Sequence, residues 1–172
     1  MSDLTKIRLR TLAWLIFPVT ILFFVPALVN YATHHPCVWN GGLGWLGAWF
    51  ILNGVGLAAW CVNLLNVEGQ GTPLPLDPPT RFVATGPYRY VRNPMFLGAL
   101  LILCGEAMLY RSVPLVLYAI GMAMLAALFV RCWEEPDLAR RFGESYRQYQ
   151  RQVPRWIPRP PCTPGGARRK SA

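Results

Sequence analysis

This sequence has few charged residues. Of its 172 residues only 15% are Asp, Glu, Lys or Arg, while 53% are hydrophobic. A typical soluble domain carries about 25% charged residues, so this chain is poor in the side chains that keep a surface in water. The charges are also unbalanced, because 17 basic residues outnumber 8 acidic ones and give a net charge of +9. An ordinary soluble globular fold is therefore disfavoured.

Histidine and paired cysteine are scarce as well, which argues against a function that depends on a metal. The two histidines, His34 and His35, are adjacent, and adjacent side chains do not readily point at one ion. None of the five cysteines belongs to a C-x-x-C pair, so neither a zinc site nor a disulfide framework is expected. The sequence predicts no metal site.

Four long apolar runs dominate what is present. They cover residues 12–31, 43–65, 95–110 and 113–133. A helix that crosses a bilayer needs roughly 20 mostly apolar residues, and the first, second and fourth runs meet this length. Only Arg111 and Ser112 separate the shorter third run from the fourth, which indicates a tight helical hairpin. The sequence therefore predicts an all-α, polytopic membrane protein with about four transmembrane helices.

The basic residues predict how these helices are oriented. Lys6, Arg8 and Arg10 precede the first run, and neither Lys nor Arg lies between the first and second runs. Because basic loops stay in the cytoplasm, both termini are expected to be cytoplasmic and residues 34–42 external. A signal peptide shares the basic start, but we expect a retained helix, since the apolar run is long and no clear cleavage site follows. The positive charge is expected to meet anionic lipid headgroups and not nucleic acid.

The chain after the fourth run has a helical pattern of its own. Five apolar residues recur at spacings of three or four: Leu138, Phe142, Tyr146, Tyr149 and Val153. With arginines on the other faces, this spacing predicts a C-terminal amphipathic helix at the cytoplasmic interface. Residues 159–172 are rich in Pro, Gly and Arg and are predicted to be a disordered basic tail. Residues 1–158 are then expected to form a single membrane-embedded domain.

Two polar clusters flank the predicted hairpin, one before the third run and one after the fourth. They are Tyr88, Arg89, Arg92 and Asn93, and Arg131, Glu134 and Glu135. A hairpin returns its two ends to one membrane face, so the clusters should be neighbours at the cytoplasmic surface. Judged from spacing alone, interfacial ion pairs such as Arg92 with Glu134 explain the clusters better than a binding site does.

The clusters lie in two recognisable motifs. Residues 86–98 read Gly-Pro-Tyr-Arg-Tyr-Val-Arg-Asn-Pro-Met-Phe-Leu-Gly. They resemble the Arg-His-Pro-x-Tyr-x-Gly signature of the isoprenylcysteine carboxyl methyltransferases, and phospholipid methyltransferases have similar elements. Glu134 and Glu135, with the apolar residues that follow them and Val-Pro-Arg at 153–155, resemble the C-terminal block of the same integral membrane family. The resemblance covers residues 66–158.

The resemblance implies a membrane methyltransferase that takes S-adenosylmethionine from the cytoplasmic side. The acceptor would be lipophilic, of the isoprenylcysteine carboxylate type or the phospholipid type. The residues implied for the cofactor site are Gly86, Tyr88, Arg92, Asn93, Glu134 and Glu135, and those implied for catalysis are Arg92 and Asn93. In this reading a carboxylate holds the ammonium of the cofactor's methionine part, and Arg92 and Asn93 face its carboxylate or its adenosine.

Two departures from the signature matter, and two other functions remain open. Asn93 replaces a histidine and cannot titrate, which puts any proton transfer at this position in doubt. Phe96 replaces a tyrosine and lacks its hydroxyl. The alternatives are an NADPH-dependent membrane reductase of the sterol reductase type, whose members are usually longer, and a membrane protein with no enzymatic activity.

Overall fold

Five helices make up most of the described chain. The computed structural model describes residues 16–33, 41–72 and 79–160. The helices are α1 (Ile16–Ala32), α2 (Gly42–Val67), α3 (Pro94–Tyr110), α4 (Val113–Phe129) and α5 (Glu135–Gln152). No strand occurs in these ranges, so the all-α prediction is confirmed. The basic N-terminus, nearly all of the predicted external loop and nearly all of the predicted disordered tail lie outside the described residues.

Glycine brings α2 and α3 into direct backbone contact. Gly47 and Gly54 of α2 face Gly105 and Gly98 of α3, in reversed order, so the two helices are antiparallel. A Cβ atom added at Gly54 would lie 2.6 Å from the carbonyl oxygen of Gly98, and one at Gly105 would lie 2.5 Å from that of Gly47. Small residues allow this close approach in membrane helix pairs. The α2–α3 contact is the most extensive one between helices.

The predicted hairpin of the third and fourth runs is present as α3 and α4. Arg111 adopts the left-handed conformation (φ 48°, ψ 38°), and the backbone N–H of Ser112 donates to the carbonyl of Ala107 at 3.2 Å. Pro94 begins α3 and Pro114 lies in the first turn of α4, where a missing N–H removes no helical hydrogen bond. The hairpin therefore brings the two polar clusters to the same end of the bundle.

Two helices are long and apolar enough to cross a membrane. They are Gly42–Val67 and Val113–Gln152, whose most apolar stretches are only 11% and 17% buried. A core helix of a soluble protein would be mostly buried, whereas these present large side chains such as Trp45, Trp49 and Leu52 to the outside. An apolar surface of this kind is suited to contact with lipid. Ile16–Ala32 and Pro94–Tyr110 are apolar but shorter.

α4 and α5 are parts of one helix. A π-helical turn, Val130–Glu134, joins them, so Pro136 lies within a helix. The chain bends later, at Gly143, whose φ of 56° and ψ of −128° suit glycine and few other residues. Glu134 and Glu135 are thus placed where the apolar part of this helix gives way to the polar part.

The apolar face predicted for the C-terminal helix is present on α5. Tyr146, Tyr149 and Val153 are buried in a cluster with Phe82, and the ring centroids of Phe82 and Tyr149 are 5.0 Å apart. This face is covered by the segment that includes Phe82 and Ala84. The contact holds α5 against the loop that precedes α3.

Gly54→Ala is expected to destabilise the protein, because the new Cβ would meet the Gly98 carbonyl oxygen at 2.6 Å. Overpacking of this kind costs about 1–3 kcal/mol. The matched control is Gly56→Ala, since a Cβ there meets nothing within 4 Å. Thermal unfolding in detergent measures both variants, and equal melting temperatures would contradict a fold built on backbone contact between α2 and α3.

Candidate functional site

A cleft lies at the end of the bundle where the hairpin begins and ends. Its walls come from the ends of α2 and α4, the starts of α3 and α5, and the loop before α3. It is lined by Leu65, Pro79, Tyr88, Arg92, Asn93, Pro94, Met95, Phe96, Phe129, Trp133, Glu134, Asp137 and Leu138. Both polar clusters contribute to it, so charged and hydrogen-bonding groups stand beside an apolar surface.

Four of the six residues implied for a cofactor site line this cleft: Tyr88, Arg92, Asn93 and Glu134. Gly86 is not among the lining residues. It packs against α2, where an added Cβ would lie 2.8 Å from Leu64 Cδ1, and its φ of +54° suits the turn that presents Tyr88. Glu135 does not line the cleft and is only 6% exposed.

Glu135 is held by two arginines. Arg155 donates from Nε to Oε1 at 2.8 Å and from Nη2 to Oε2 at 2.7 Å. Arg92 Nη1 lies 2.8 Å from the same Oε1, and the side chains of Arg92 and Glu135 are 12% and 8% exposed. Charge-assisted bonds of this kind are strong, and the hydrogen bonds to Glu135 raise the pKa of Arg155 above its ordinary value. Both oxygens of Glu135 are therefore engaged within the protein.

Glu134, the adjacent residue, has a free carboxylate oxygen. Its Oε2 is buried and has no hydrogen-bond partner, and the same holds for Nε of Arg92. Within the described ranges three other buried side-chain atoms share this property, in Asn30, Glu106 and Ser112, none of which lines the cleft. An unpartnered buried charge is costly. Burial, together with the neighbouring Glu135, raises the pKa of Glu134 to about 7, so its carboxyl is ionised only in part at neutral pH. The cleft thus combines one acidic and one basic group, each with a bonding position unused by the protein.

Tyr88 and Asn93 are fixed by contacts outside the cleft. The backbone oxygen of Tyr88 accepts a hydrogen bond from the Tyr149 hydroxyl at 2.7 Å, and its phenol bonds to Cys61. Burial raises the pKa of Tyr88 well above its usual range, and the nearby Cys61 and Glu134 add to the rise, so the phenol stays neutral. Asn93 Nδ2 donates to the carbonyl of Arg155 at 3.1 Å. Both side chains are therefore held in place before any ligand binds.

Sequence patterns missed two parts of this site. Arg155 belongs to the C-terminal block of the family resemblance, but no spacing rule connects it with Glu135, because the contact depends on the bend at Gly143. The apolar wall was missed because Met95, Phe129 and Trp133 lie in runs that are apolar throughout, and only the packing shows which members face the cleft.

Comparison with known families explains why these elements occur together. The profile described as phospholipid methyltransferase matches residues 34–145, well over half of the chain. The chain belongs to the phospholipid methyltransferase family. No curated protein and no solved structure matches it.

Membership of the phospholipid methyltransferase family implies methyltransferase activity on lipids at a membrane. The matched region runs from before α2 into α5 and contains both polar clusters and every residue that lines the cleft. It ends ten residues before Arg155. The family accounts for the cleft itself, while the clamp on Glu135 from the C-terminal side lies beyond the match.

Glu135→Gln is expected to lower stability strongly, because it leaves Arg92 and Arg155 without their shared counter-charge. Breaking a buried pair by removing one partner costs about 3–5 kcal/mol. Glu144→Gln is the matched control, since Glu144 is 70% exposed and its arginine contacts are 3.9 Å long. Thermal unfolding in detergent compares the two, and a similar small shift for both would show that Glu135 does not hold this end of the bundle together.

Proposed function

We propose that the chain is an S-adenosylmethionine-dependent methyltransferase that acts on a lipophilic acceptor, of the phospholipid or isoprenylcysteine type, at the cytoplasmic membrane face. One observation carries the proposal. Two buried side-chain atoms without partners, Glu134 Oε2 and Arg92 Nε, belong to residues that line one cleft. The methionine end of the cofactor is a zwitterion, with an ammonium and a carboxylate on one carbon, and its two charges are complementary to these groups.

The polar residues of the cleft fit the cofactor's charges. Glu134 would hold the ammonium and Arg92 the carboxylate, in charge-assisted bonds that are stronger than neutral ones. Asn93 and the neutral phenol of Tyr88 would add hydrogen bonds to polar atoms. The bound cofactor supplies a methyl group on a sulfonium sulfur, which a nucleophile attacks in line. The chain's part in such a transfer is to hold and orient the reactants.

Asn93 is proposed as a positioning group together with Arg92. An amide cannot take up or release a proton at ordinary pH, so no acid–base step is assigned to this position. Its Nδ2 is already bonded to the Arg155 carbonyl, which leaves its oxygen as an acceptor. Asn93 therefore replaces the family's usual histidine with a side chain that can still form hydrogen bonds but cannot gain or lose a proton.

The apolar wall supports a lipophilic acceptor. Met95, Phe96, Phe129 and Trp133 line the cleft, and Phe129 and Trp133 are also exposed on the outer surface of their helix. The rings of Phe96 and Phe129 are 6.3 Å apart, so residues of α3 and α4 border the cleft together. A hydrocarbon chain at this border would remain in apolar surroundings while its head group reaches Arg92 and Glu134. The same wall would exclude water from the reacting atoms.

We further propose that all of α1 to α4 cross the membrane, with both termini in the cytoplasm. If α4 crosses, the short turn at Arg111 and Ser112 requires α3 to cross as well. The 17 residues of α3 span about 26 Å, close to the thickness of a hydrocarbon core. Arg81, Arg89 and Arg131 all lie at the cleft end, which the positive-inside rule places in the cytoplasm.

Calorimetric binding of S-adenosylhomocysteine tests the function. The wild-type protein in detergent is expected to bind it and not NADPH. Glu134→Gln keeps the shape but removes the charge, and should weaken binding by about 1.5–3 kcal/mol, or roughly ten- to a hundredfold. Glu144→Gln is the control and should bind like wild type, because Glu144 lies outside the cleft. Absence of binding by a folded wild-type protein would reject the proposal, and NADPH binding would favour a reductase.

Cysteine labelling with a membrane-impermeant maleimide tests the topology. Cys162, in the C-terminal segment, should react only after the membrane is permeabilised, whereas Cys37, between α1 and α2, should react in intact cells. Single-cysteine versions of the chain are needed, since Cys104 and Cys132 are exposed on the helices. Labelling of Cys162 from outside would contradict a cytoplasmic C-terminus.

A further inference from the structure

We propose that Arg155, which lies beyond the region matched by the family, positions Arg92 for the carboxylate end of the cofactor. The inference rests on the proposed function and concerns the same cleft. Arg155 itself does not line the cleft. It would act by occupying Glu135, so that Arg92 keeps part of its guanidinium group for a ligand.

The segment after α5 is fixed to the loop before α3. The backbone N–H of Arg92 donates to the carbonyl of Pro154 at 2.9 Å, and that of Arg159 donates to the carbonyl of Tyr90 at 3.0 Å. Asn93 Nδ2 donates to the carbonyl of Arg155 at 3.1 Å. These bonds bracket Arg155 on both sides. The Arg155 side chain therefore reaches Glu135 from a backbone that these hydrogen bonds hold in place.

Two arginines share the two oxygens of Glu135 unequally. Arg155 uses its planar fork on both oxygens, at 2.8 and 2.7 Å, while Arg92 reaches only Oε1, through Nη1. A carboxylate accepts such a fork in preference to single contacts. With Arg155 in place, Arg92 bonds to Glu135 through Nη1 and to the side chain of Tyr146, and its Nε has no partner. Without Arg155, Glu135 would be free to take the fork of Arg92 and draw it away from the cleft.

Arg155 also balances the charge of the site. With a ligand ammonium beside it, Glu134 is ionised despite its raised pKa, so Glu134 and Glu135 then carry two negative charges and Arg92 and Arg155 carry two positive ones. If Arg155 lost its charge, a ligand carboxylate would approach a site with an excess of negative charge. A ligand ammonium would not be repelled. Loss of the Arg155 charge should therefore weaken binding of a ligand that has a carboxylate more than binding of one that lacks it. A purely structural role of Arg155 would affect both ligands equally.

The experiment compares two ligands that differ only in this carboxylate. S-adenosylhomocysteine and its decarboxylated analogue are titrated against the full-length wild type, Arg155→Gln and Arg155→Lys in detergent, by calorimetry or by competition. We expect the wild type to prefer S-adenosylhomocysteine by about tenfold or more, the range for a charge-assisted bond. Arg155→Gln should lose most of this preference and bind the analogue as the wild type does. Arg155→Lys, which keeps the charge but not the fork, should lie between them.

Arg151→Gln is the matched control, because the Arg151 side chain is 76% exposed and should leave both affinities unchanged. If Arg155→Gln weakens both ligands equally, Arg155 only supports the fold and the inference is wrong. It is equally wrong if the variant keeps the preference, or if a wild type that binds S-adenosylhomocysteine shows none. A folded wild type that binds neither ligand would instead reject the proposed function. Arg155→Lys provides the comparison if Arg155→Gln does not fold.

Discussion

Glu135 lies where three parts of the chain meet: the helix that runs from α4 into α5, the loop before α3, and the segment after α5. Its buried carboxylate bonds to Arg92 from the loop and to Arg155 from the C-terminal segment. A buried charge is tolerated only when it is paired and hydrogen-bonded, so each of the three parts needs the other two. The position of the cleft residues follows from this contact, because Arg92 and Asn93 are adjacent in the loop before α3 and Glu134 directly precedes Glu135.

The two adjacent glutamates differ because a helix separates neighbouring side chains. Successive residues point about 100° apart, so one carboxylate cannot follow the other into the same surroundings. Glu135 points into the protein and finds two arginines, whereas Glu134 contributes to the cleft and keeps one buried oxygen without a partner. A pair of identical residues thus provides one group that holds the structure together and one that is available to a ligand. The sequence alone does not show which of the two carboxylates faces the cleft, since that depends on the rotation of the helix after its π turn.

The sequence predicted the features that follow from local spacing, but it did not predict the contacts between residues far apart in the chain. The hairpin followed from Arg111 and Ser112 between two apolar runs, and the apolar face of α5 followed from its helical spacing. By contrast, α2 and α3 are apolar on every side, so no periodicity marked Gly54 and Gly98 as the points of contact. Arg155 was missed for a similar reason, because its partner lies twenty residues away across a bend. Gly86 was implied as a cofactor residue through its motif, whereas the structure places it against α2.

The glycine contact between α2 and α3 explains why an ionic site can stand at the edge of an apolar bundle. Because the backbones touch, α3 has little freedom to slide or rotate along α2, and Pro94 and Asn93 at its start are fixed with it. Gly86 and Tyr88 pack on the same α2 through Leu64 and Cys61, so the loop that carries Arg92 is anchored to the rigid pair at both of its ends. Charged groups held this firmly do not need to reorganise when a ligand arrives, which is what makes a preorganised site effective. The apolar helices therefore act as the frame on which the polar groups of the cleft are aligned, and the apolar wall and the charged groups lie side by side at the same end of that frame.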